Sequence, residues 1–249
     1  MKKLLVLYLF LASNLLNAQV TNLFEKKVFV HKTTTLPYRI LYPEDYNPDK
    51  KYPLLVFLHG AGERGDDNEA QLVHGAKFLA RCRTEYPAIV IVPQCPKENW
   101  WSSLKLSDGK IIGTEKKPAA IMDALCALIK NALKSEQTDK RHVYVGGLSM
   151  GGMGTFEILH RMPKTFAAAF PICGGGDVSK VKKYAKHTAL WIFHGAKDGV
   201  VPVSWSREMY EALKTAGAEV LYTEYPNDNH NSWDSAFKEE GLLKWLFSH

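Results

Sequence analysis

The sequence predicts an α/β fold in which a mostly parallel sheet is covered by helices on both faces. Short apolar runs of strand length recur along the chain, and such runs are typical of strands buried on both faces. Helical patterns lie between successive runs, and this alternation indicates parallel strands joined by helices. The composition is that of an ordinary globular protein, with 46% hydrophobic and 23% charged residues among 249.

Each predicted element rests on its own pattern. Two short opening strands and six apolar runs lie at 28–30, 38–42, 54–58, 88–92, 143–145, 167–172, 189–193 and 220–225. The helical patterns lie at 69–81, 118–133, 152–161, 205–216 and 232–247. Pro118 suits the first turn of its helix, where a missing N–H costs no intrahelical bond. Since no linker or repeat divides residues 19–249, we expect one domain there.

Residues 1–18 have the pattern of a secretory signal peptide. Lys2 and Lys3 form a basic start, residues 4–16 are almost wholly apolar, and Ala18 supplies a small residue for cleavage. The apolar run is short for a helix that spans a bilayer, which disfavours an uncleaved anchor. We therefore expect a secreted or periplasmic protein with no stable membrane insertion after cleavage.

Charge and cysteine content narrow the classes of partner. Loss of Lys2 and Lys3 would lower the formal net charge from +6 to +4, and the remaining lysines are dispersed, which gives little support to nucleic-acid binding. Export would place the cysteines in an oxidising compartment, but their spacing fits no metal site. A bridge between Cys82 and Cys95 stays open, whereas Cys126 is expected to be a buried thiol. No oligomeric state follows from the sequence.

The strongest motif follows the apolar run at 143–145. Gly147, Ser149 and Gly151 form G-x-S-x-G, and a helical pattern begins at once. A serine on a sharp strand-to-helix turn has a strained backbone, and small neighbours let the turn close. The turn sets the hydroxyl at a helix N-terminus, where negative charge is favoured. A phosphate-binding loop is disfavoured because its lysine is absent. Ser149 is therefore the predicted nucleophile.

A serine nucleophile needs a base, and the base needs an acid that orients it. Asp198 lies in the loop after the run at 189–193, and His230 lies in the loop after the last strand. Ligand sites of open α/β sheets lie at such strand ends, and Ser–Asp–His is the chain order that accompanies this nucleophile turn. Asp177 stays open as a rival acid or a helix cap, and His194 as a rival base or a structural residue. No close His/Asp spacing predicts a metal site.

A second glycine-rich loop follows the run at 54–58. Acyl transfer passes through an oxyanion that two preorganised N–H groups stabilise. Met150, which follows the nucleophile, and Ala61, in the glycine-rich loop, are the expected donors. Three tryptophans near strand ends are expected either to wall a substrate pocket or to lie buried under the loops. They are Trp100, Trp101 and Trp233. The stretch 170–191 is too short for a helical cap, which predicts an open site.

With these residues identified, the chain resembles the α/β-hydrolase superfamily over nearly all of residues 19–249. Residues 58–65 (LHGAGERG), 93–96 (PQCP) and 147–152 (GLSMGG) resemble a group of secreted esterases and predicted peptidases. This group is similar to feruloyl and acetyl-xylan esterases of carbohydrate esterase family 1 and to polyhydroxybutyrate depolymerases. Asp198 and His230 match the acid and base positions of that pattern. The resemblance implies an eight-stranded core and no cofactor, and the short stretch 170–191 predicts no large cap domain.

The sequence therefore predicts a secreted serine ester hydrolase with Ser149, His230 and Asp198 as its triad. The expected substrates are acyl or feruloyl esters, either small molecules or groups attached to plant polysaccharide. A serine peptidase of the same fold and a polyhydroxyalkanoate depolymerase stay open, because the motifs serve the shared chemistry and not the leaving group. The intact Ser, Asp and His argue against a third alternative, a non-catalytic binding protein.

Overall fold

The central element is an eight-stranded sheet with strand order β1-β2-β4-β3-β7-β8-β9-β10. A computed structural model of the chain describes residues 19–135 and 137–249, so the predicted signal peptide lies outside the described residues. The strands of this sheet are β1 (Glu25–His31), β2 (Thr34–Leu41), β3 (Tyr52–Leu58), β4 (Ile89–Pro93), β7 (Thr138–Leu148), β8 (Ala168–Ile172), β9 (Ala189–Gly195) and β10 (Val220–Tyr225). The fold class and the strand count are those that the sequence and its resemblance predict.

The strand directions bring several loops together. β1 and β2 pair antiparallel, and β2 pairs antiparallel with β4, whereas β4, β3, β7, β8, β9 and β10 run parallel. In register, Leu55 of β3 lies between Val90 of β4 and Tyr144 of β7. The loops that follow the parallel strands therefore meet at one edge of the sheet.

From β1 to the end of the chain, six α-helices accompany the sheet in the described residues. They are α1 (Ala76–Ala80), α2 (Ala120–Ala132), α3 (Met150–Arg161), α4 (Val203–Thr215), α5 (Trp233–Ala236) and α6 (Gly241–Leu246). Two predicted helices are shorter than expected. The segment 69–81 is interrupted at Gly75, whose φ of 89° is left-handed and cannot continue a right-handed helix. The segment 232–247 is divided into α5 and α6.

The sheet separates two hydrophobic clusters. Leu54, Val56 and Leu58 of β3 join the cluster under α2, α3 and α4, and the alternate residues Leu55 and Phe57 join the cluster under α1, α5 and α6. This alternation follows from the two-residue period of a strand. Burial on both faces explains why β3 reads as a continuous apolar run.

The separation of the two clusters by the sheet also determines which cysteines can form a disulfide. Cys82 belongs to the cluster under α1, whereas Cys95 belongs to the cluster on the opposite face. A bridge between them would have to cross the sheet, so the pairing that the sequence left open is wrong. All four cysteines are buried free thiols, including Cys126 as predicted.

A two-stranded hairpin that the sequence analysis did not predict lies between β4 and α2. It consists of β5 (Leu104–Ser107) and β6 (Lys110–Thr114), and most of its residues are exposed. Between β8 and β9, by contrast, the described chain carries only the 3₁₀ helix Val178–Lys183 and no cap domain. None of the helices in the described part of the chain combines the length and the apolarity needed to cross a bilayer.

Candidate active site

Ser149 occupies the sharp turn between β7 and α3. Its φ of 53° and ψ of −116° lie in a region that non-glycine residues rarely adopt. The loop after β3 packs directly on this turn, because a Cβ added to Gly151 would lie 1.9 Å from the carbonyl oxygen of Leu58. A Cβ added to Gly147 would lie 2.5 Å from the carbonyl oxygen of Gly151. The glycines of the motif are therefore required by close backbone approach.

The structure brings Ser149, His230 and Asp198 together in one hydrogen-bonded chain. Ser149 Oγ lies 2.9 Å from His230 Nε2, and His230 Nδ1 lies 2.8 Å from Asp198 Oδ2. Since a carboxylate only accepts, His230 carries its proton on Nδ1 and its Nε2 accepts from the serine hydroxyl. This is the tautomer that a general base needs.

Asp198 is held as a buried carboxylate. Its Oδ1 accepts hydrogen bonds from the backbone N–H groups of Val200 (2.8 Å) and Val201 (2.9 Å). Burial raises the pKa of Asp198, but the hydrogen bonds from His230 and from these two amides outweigh it, so the pKa lies below its usual value of 3.8. Asp198 is therefore ionised at neutral pH.

The glycine-rich loop after β3 lies beside the nucleophile. A Cβ added to Gly60 would lie 3.7 Å from Ser149 Cβ. Among the described residues, no group accepts a hydrogen bond from the N–H of Ala61 or of Met150. Both amides thus have a free proton next to Ser149, as the sequence-based assignment of the oxyanion donors requires, and their catalytic role stays a prediction.

His59 fixes the peptide group that precedes Ala61. The backbone N–H of Cys95 donates to His59 Nε2 (2.9 Å), so Nδ1 carries the proton and donates to the carbonyl of Gly60 (2.6 Å). Burial lowers the pKa of His59 to about 4, which keeps the ring neutral in this tautomer. Because C=O and N–H of one peptide point in opposite directions, the bond to Gly60 directs the Ala61 N–H away from His59.

The three predicted tryptophans have different environments. Trp233 lies edge-on to His230, with ring centroids 5.5 Å apart. Trp100 is 48% exposed, and the guanidinium of Arg64 lies 4.7 Å from its ring centroid. Arg64 also donates to the Ala61 carbonyl (2.9 Å), which ties Trp100 to the glycine-rich loop. Trp101 is fully buried, so the prediction that it lines a substrate pocket is wrong.

The rival acid and base also have defined places. Asp177 caps the 3₁₀ helix Val178–Lys183, where its Oδ1 accepts from the N–H of Ser179 (2.9 Å), so it is a cap. His194 is fully buried, and its Nε2 lies 3.2 Å from Asp198 Oδ2. No sequence pattern predicted a partner for His59 or His194. Both precede a glycine at the carboxyl end of a parallel strand, and this shared His-Gly pattern is the signal that marks them.

One group of three potential metal ligands includes the candidate acid and base. In the described residues, ligand atoms of Cys173, Asp198 and His230 lie within 4.8 Å of one another. Burial raises the pKa of the Cys173 thiol, so it remains protonated and is a poor ligand. Asp198 and His230 are already hydrogen-bonded to each other. The donor set therefore suits proton transfer better than metal binding.

Comparisons with known proteins show what the chain as a whole is similar to. The family model described as phospholipase/carboxylesterase matches residues 46–240. Lysophospholipase-like protein 1 of Mus musculus is 23% identical over 206 residues, covering 78% of this chain and 85% of the relative. Probable feruloyl esterase C of Aspergillus niger is 23% identical over 205 residues, covering 82% and 70%. The crystal structure of a thermostable esterase superposes with a TM-score of 0.83 and 38% identity, over 92% of this chain and 64% of that one.

Proposed function

The chain belongs to the phospholipase/carboxylesterase family of serine ester hydrolases with the α/β-hydrolase fold, and on this premise we propose that Ser149, His230 and Asp198 hydrolyse carboxylic esters through an acyl-enzyme. The observation that carries the proposal is the continuous hydrogen-bonded chain from Ser149 Oγ to Asp198 Oδ2, with distances of 2.9 and 2.8 Å. A buried ionised acid, a base in the required tautomer and a hydroxyl on a strained turn are the parts that nucleophilic catalysis needs.

In the first half-reaction, Ser149 Oγ attacks the ester carbonyl carbon while His230 Nε2 takes the hydroxyl proton. The carbonyl π electrons move to oxygen, and the N–H groups of Ala61 and Met150 stabilise this oxyanion. The intermediate collapses, the bond to the alcohol oxygen breaks, and His230 gives its proton to the leaving alcohol. Ser149 is left acylated.

The second half-reaction repeats this sequence with water. His230 Nε2 takes a proton from a water molecule, whose oxygen attacks the acyl carbon through the same oxyanion site. The bond to Ser149 Oγ breaks, His230 returns the proton to the serine, and a carboxylic acid leaves. Throughout, Asp198 holds the ring of His230 and stabilises its positive charge without taking the proton.

The preferred substrates are short acyl or feruloyl esters attached to polysaccharide, hydrolysed by an exported enzyme. Three observations support this assignment: the relatives include a probable feruloyl esterase, the exposed ring of Trp100 offers a flat apolar surface, and no cap domain covers the described loops. Residues 1–18 support export, since they have the pattern of a signal peptide.

Hydrolysis by the wild type and by Ser149→Ala tests the proposal. The substrates are p-nitrophenyl acetate, methyl ferulate, a lysophospholipid and a peptide p-nitroanilide. Wild type should cleave the first two, and Ser149→Ala should lose activity by a factor on the order of 10⁴–10⁶. Ser179→Ala, which changes an exposed serine of the 3₁₀ helix Val178–Lys183, is the matched control and should behave as wild type.

The alternatives predict other outcomes. Full esterase activity in Ser149→Ala would show that the triad assignment is wrong. Cleavage of the peptide alone would favour a peptidase, and preference for the lysophospholipid would replace the polysaccharide ester as the substrate class. Failure to label with a fluorophosphonate would support a non-catalytic role.

A further inference from the structure

His194 is a fully buried titratable residue with no place in the proton transfers proposed above. It lies near the end of β9, and its ring contacts groups on both sides. Nε2 lies 3.1 Å from the carbonyl oxygen of Val201 and 3.2 Å from Asp198 Oδ2. Nδ1 lies 2.7 Å from Ser206 Oγ on α4.

These partners fix the proton on the ring. A carbonyl oxygen only accepts, so Nε2 carries the proton and donates it to Val201, while Asp198 Oδ2 lies 3.2 Å from the same nitrogen. Burial lowers the pKa of His194, which leaves a neutral ring with one proton. Nδ1 is then an acceptor facing Ser206 Oγ (2.7 Å), and the single hydroxyl proton of Ser206 has two acceptors in reach, Nδ1 and the carbonyl oxygen of Gly174 (3.0 Å).

The N–H of His194 meets the acid loop at two groups: it donates to the Val201 carbonyl and lies beside Asp198 Oδ2. Val201 accepts from His194 and also donates its own N–H to Asp198 Oδ1 (2.9 Å). Oδ2 faces His194 on one side and His230 Nδ1 on the other. Together with the amide of Val200, four N–H groups surround the Asp198 carboxylate, and two of them come from side chains.

We infer that His194 is a positioning residue for the acid of the triad: its Nε2–H holds the Val201 carbonyl, lies against the Asp198 carboxylate, and so aims Oδ2 at His230. The inference rests on the proposed function. A second N–H beside Oδ2 also spreads the negative charge of the carboxylate and weakens its hold on the protonated form of His230.

Removal of the His194 N–H should move the pH profile in one direction. Without the donor from His194, Asp198 stabilises protonated His230 more strongly, so the acid limb of kcat/KM moves to higher pH. The other titratable groups that face the ring are His230 and Glu224 of β10, and Glu224 is ion-paired with Arg207 at 2.6 Å. This ion pair stays intact in the variants below.

The test measures kcat, KM and the pH profile of kcat/KM for p-nitrophenyl acetate. His194→Leu removes the N–H and should lower kcat about 10–100-fold with KM within about 3-fold, while the acid limb rises by about 0.5–1 pH unit. His194→Gln, whose amide can donate in place of Nε2, should restore most of kcat and the wild-type acid limb. His160→Leu, which changes a buried histidine of α3, is the matched control and should leave the acid limb in place.

A purely structural role for His194 would reduce the amount of folded protein without moving the acid limb of kcat/KM. If His194→Leu folds and its acid limb is that of the wild type, the inference is wrong. If His194→Leu does not fold, Ser206→Ala decides. Loss of the hydroxyl that faces Nδ1 makes Nε2–H a weaker donor, so the limb should rise by about 0.3 pH unit, and no rise overturns the inference.

Failure of the proposed function would give different results from failure of the inference about His194. In that case Ser149→Ala would keep its activity, or the wild type would neither hydrolyse esters nor react with a fluorophosphonate, and both proposals would fall. If only the inference about His194 is wrong, the wild type hydrolyses esters, Ser149→Ala does not, and the His194 variants share the wild-type profile.

Discussion

The triad loops and the hairpin β5–β6 both follow carboxyl ends of parallel strands, yet they are built in opposite ways. The proposed acid, base and nucleophile are buried or partly buried, and hydrogen bonds link each of them to its neighbours. The hairpin is mostly exposed, and its inner anchors come from helices far away in the sequence. The triad loops should therefore tolerate little change, whereas the hairpin can vary while the chemistry stays intact.

Hydrogen bonds with a few helical side chains hold the hairpin in place. The buried carboxylate of Glu157 accepts from the N–H (2.6 Å) and the hydroxyl (2.7 Å) of Ser103, at the start of the hairpin. Arg161 donates to the carbonyls of Glu115 (2.6 Å) and Lys116 (2.7 Å), at its end. Both of these side chains belong to α3, the helix that follows Ser149. Trp205 of α4 also donates from Nε1 to the carbonyl of Gly109 (3.0 Å), at the turn of the hairpin.

The largest effect is expected from the acid of the triad. Asp198→Asn keeps the shape of the side chain but presents an N–H or a neutral oxygen to His230, which favours the wrong tautomer. We expect kcat to fall by about 10⁴-fold with little change in KM, measured with p-nitrophenyl acetate. Asp177→Asn changes the cap of the 3₁₀ helix Val178–Lys183 and should keep at least half of the activity. Equal losses in the two variants would contradict the assignment of the acid.

A smaller loss of kcat is expected when the peptide group between Gly60 and Ala61 loses its hydrogen bond to His59. His59→Leu removes the hydrogen bond to the Gly60 carbonyl, so the Ala61 N–H is no longer held in one direction. One poorly placed oxyanion donor should lower kcat about 10–100-fold, less than removal of a donor outright. His74→Leu, at a partly exposed histidine near Trp233, serves as control. An unchanged kcat in His59→Leu would show that the loop is held by other contacts.

The hairpin anchor should affect stability rather than chemistry. Glu157→Gln leaves one acceptor for Ser103 and breaks the ion pair with Arg161 (3.1 Å), so the free energy of unfolding should fall by about 1–3 kcal/mol. The kcat for p-nitrophenyl acetate should stay within about 2-fold of wild type at a temperature where both are folded. Denaturant unfolding measures the first quantity, and initial rates measure the second.

The control for this variant is a second Glu–Arg pair at the same spacing. Glu85 pairs with Arg81 at 2.7 Å, but the side chains of the pair are 50% and 33% exposed. Glu85→Gln should therefore lower the free energy of unfolding less than Glu157→Gln does. A large loss of kcat in Glu157→Gln would mean that the hairpin is part of the catalytic machinery, and the contrast between the two regions would disappear.

The same contrast explains what the sequence could predict. Ser149, Asp198 and His230 follow from local rules, because each lies at a strand end with a motif or a chain order that the chemistry requires. The sheet followed from apolar runs, since strands buried on both faces have no polar positions. The hairpin did not, because its strands are exposed and carry charges, and its fold depends on Glu157 and Arg161, about fifty residues away.

Burial of single side chains was equally hard to predict. Trp100 and Trp101 are adjacent, yet one is 48% exposed and the other fully buried. Trp101 packs against α3, where a Cβ added to Gly154 would lie 2.5 Å from Trp101 Cβ. No local rule distinguishes the two rings, because the space beside Gly154 exists only in the folded chain. The interrupted helix at 69–81 has the same cause, since the left-handed Gly75 packs between Phe57 and Phe237.

The smallest predicted effect, a change in KM, shows whether the loop with Trp100 or the hairpin with Leu106 forms the wall of the acyl pocket. Trp100 is tied to the glycine-rich loop through Arg64, whereas Leu106 is an exposed apolar residue of the hairpin. If the catalytic loops bind the acyl group, Trp100→Ala should raise KM for methyl ferulate about 2–5-fold, and Leu106→Ala should change it less than 2-fold. KM for p-nitrophenyl acetate should not change in either variant, because its acyl group is too small to reach the ring. The reverse order of the two KM values would make the hairpin the wall of the pocket, and specificity would then vary through a part of the chain that the triad does not constrain.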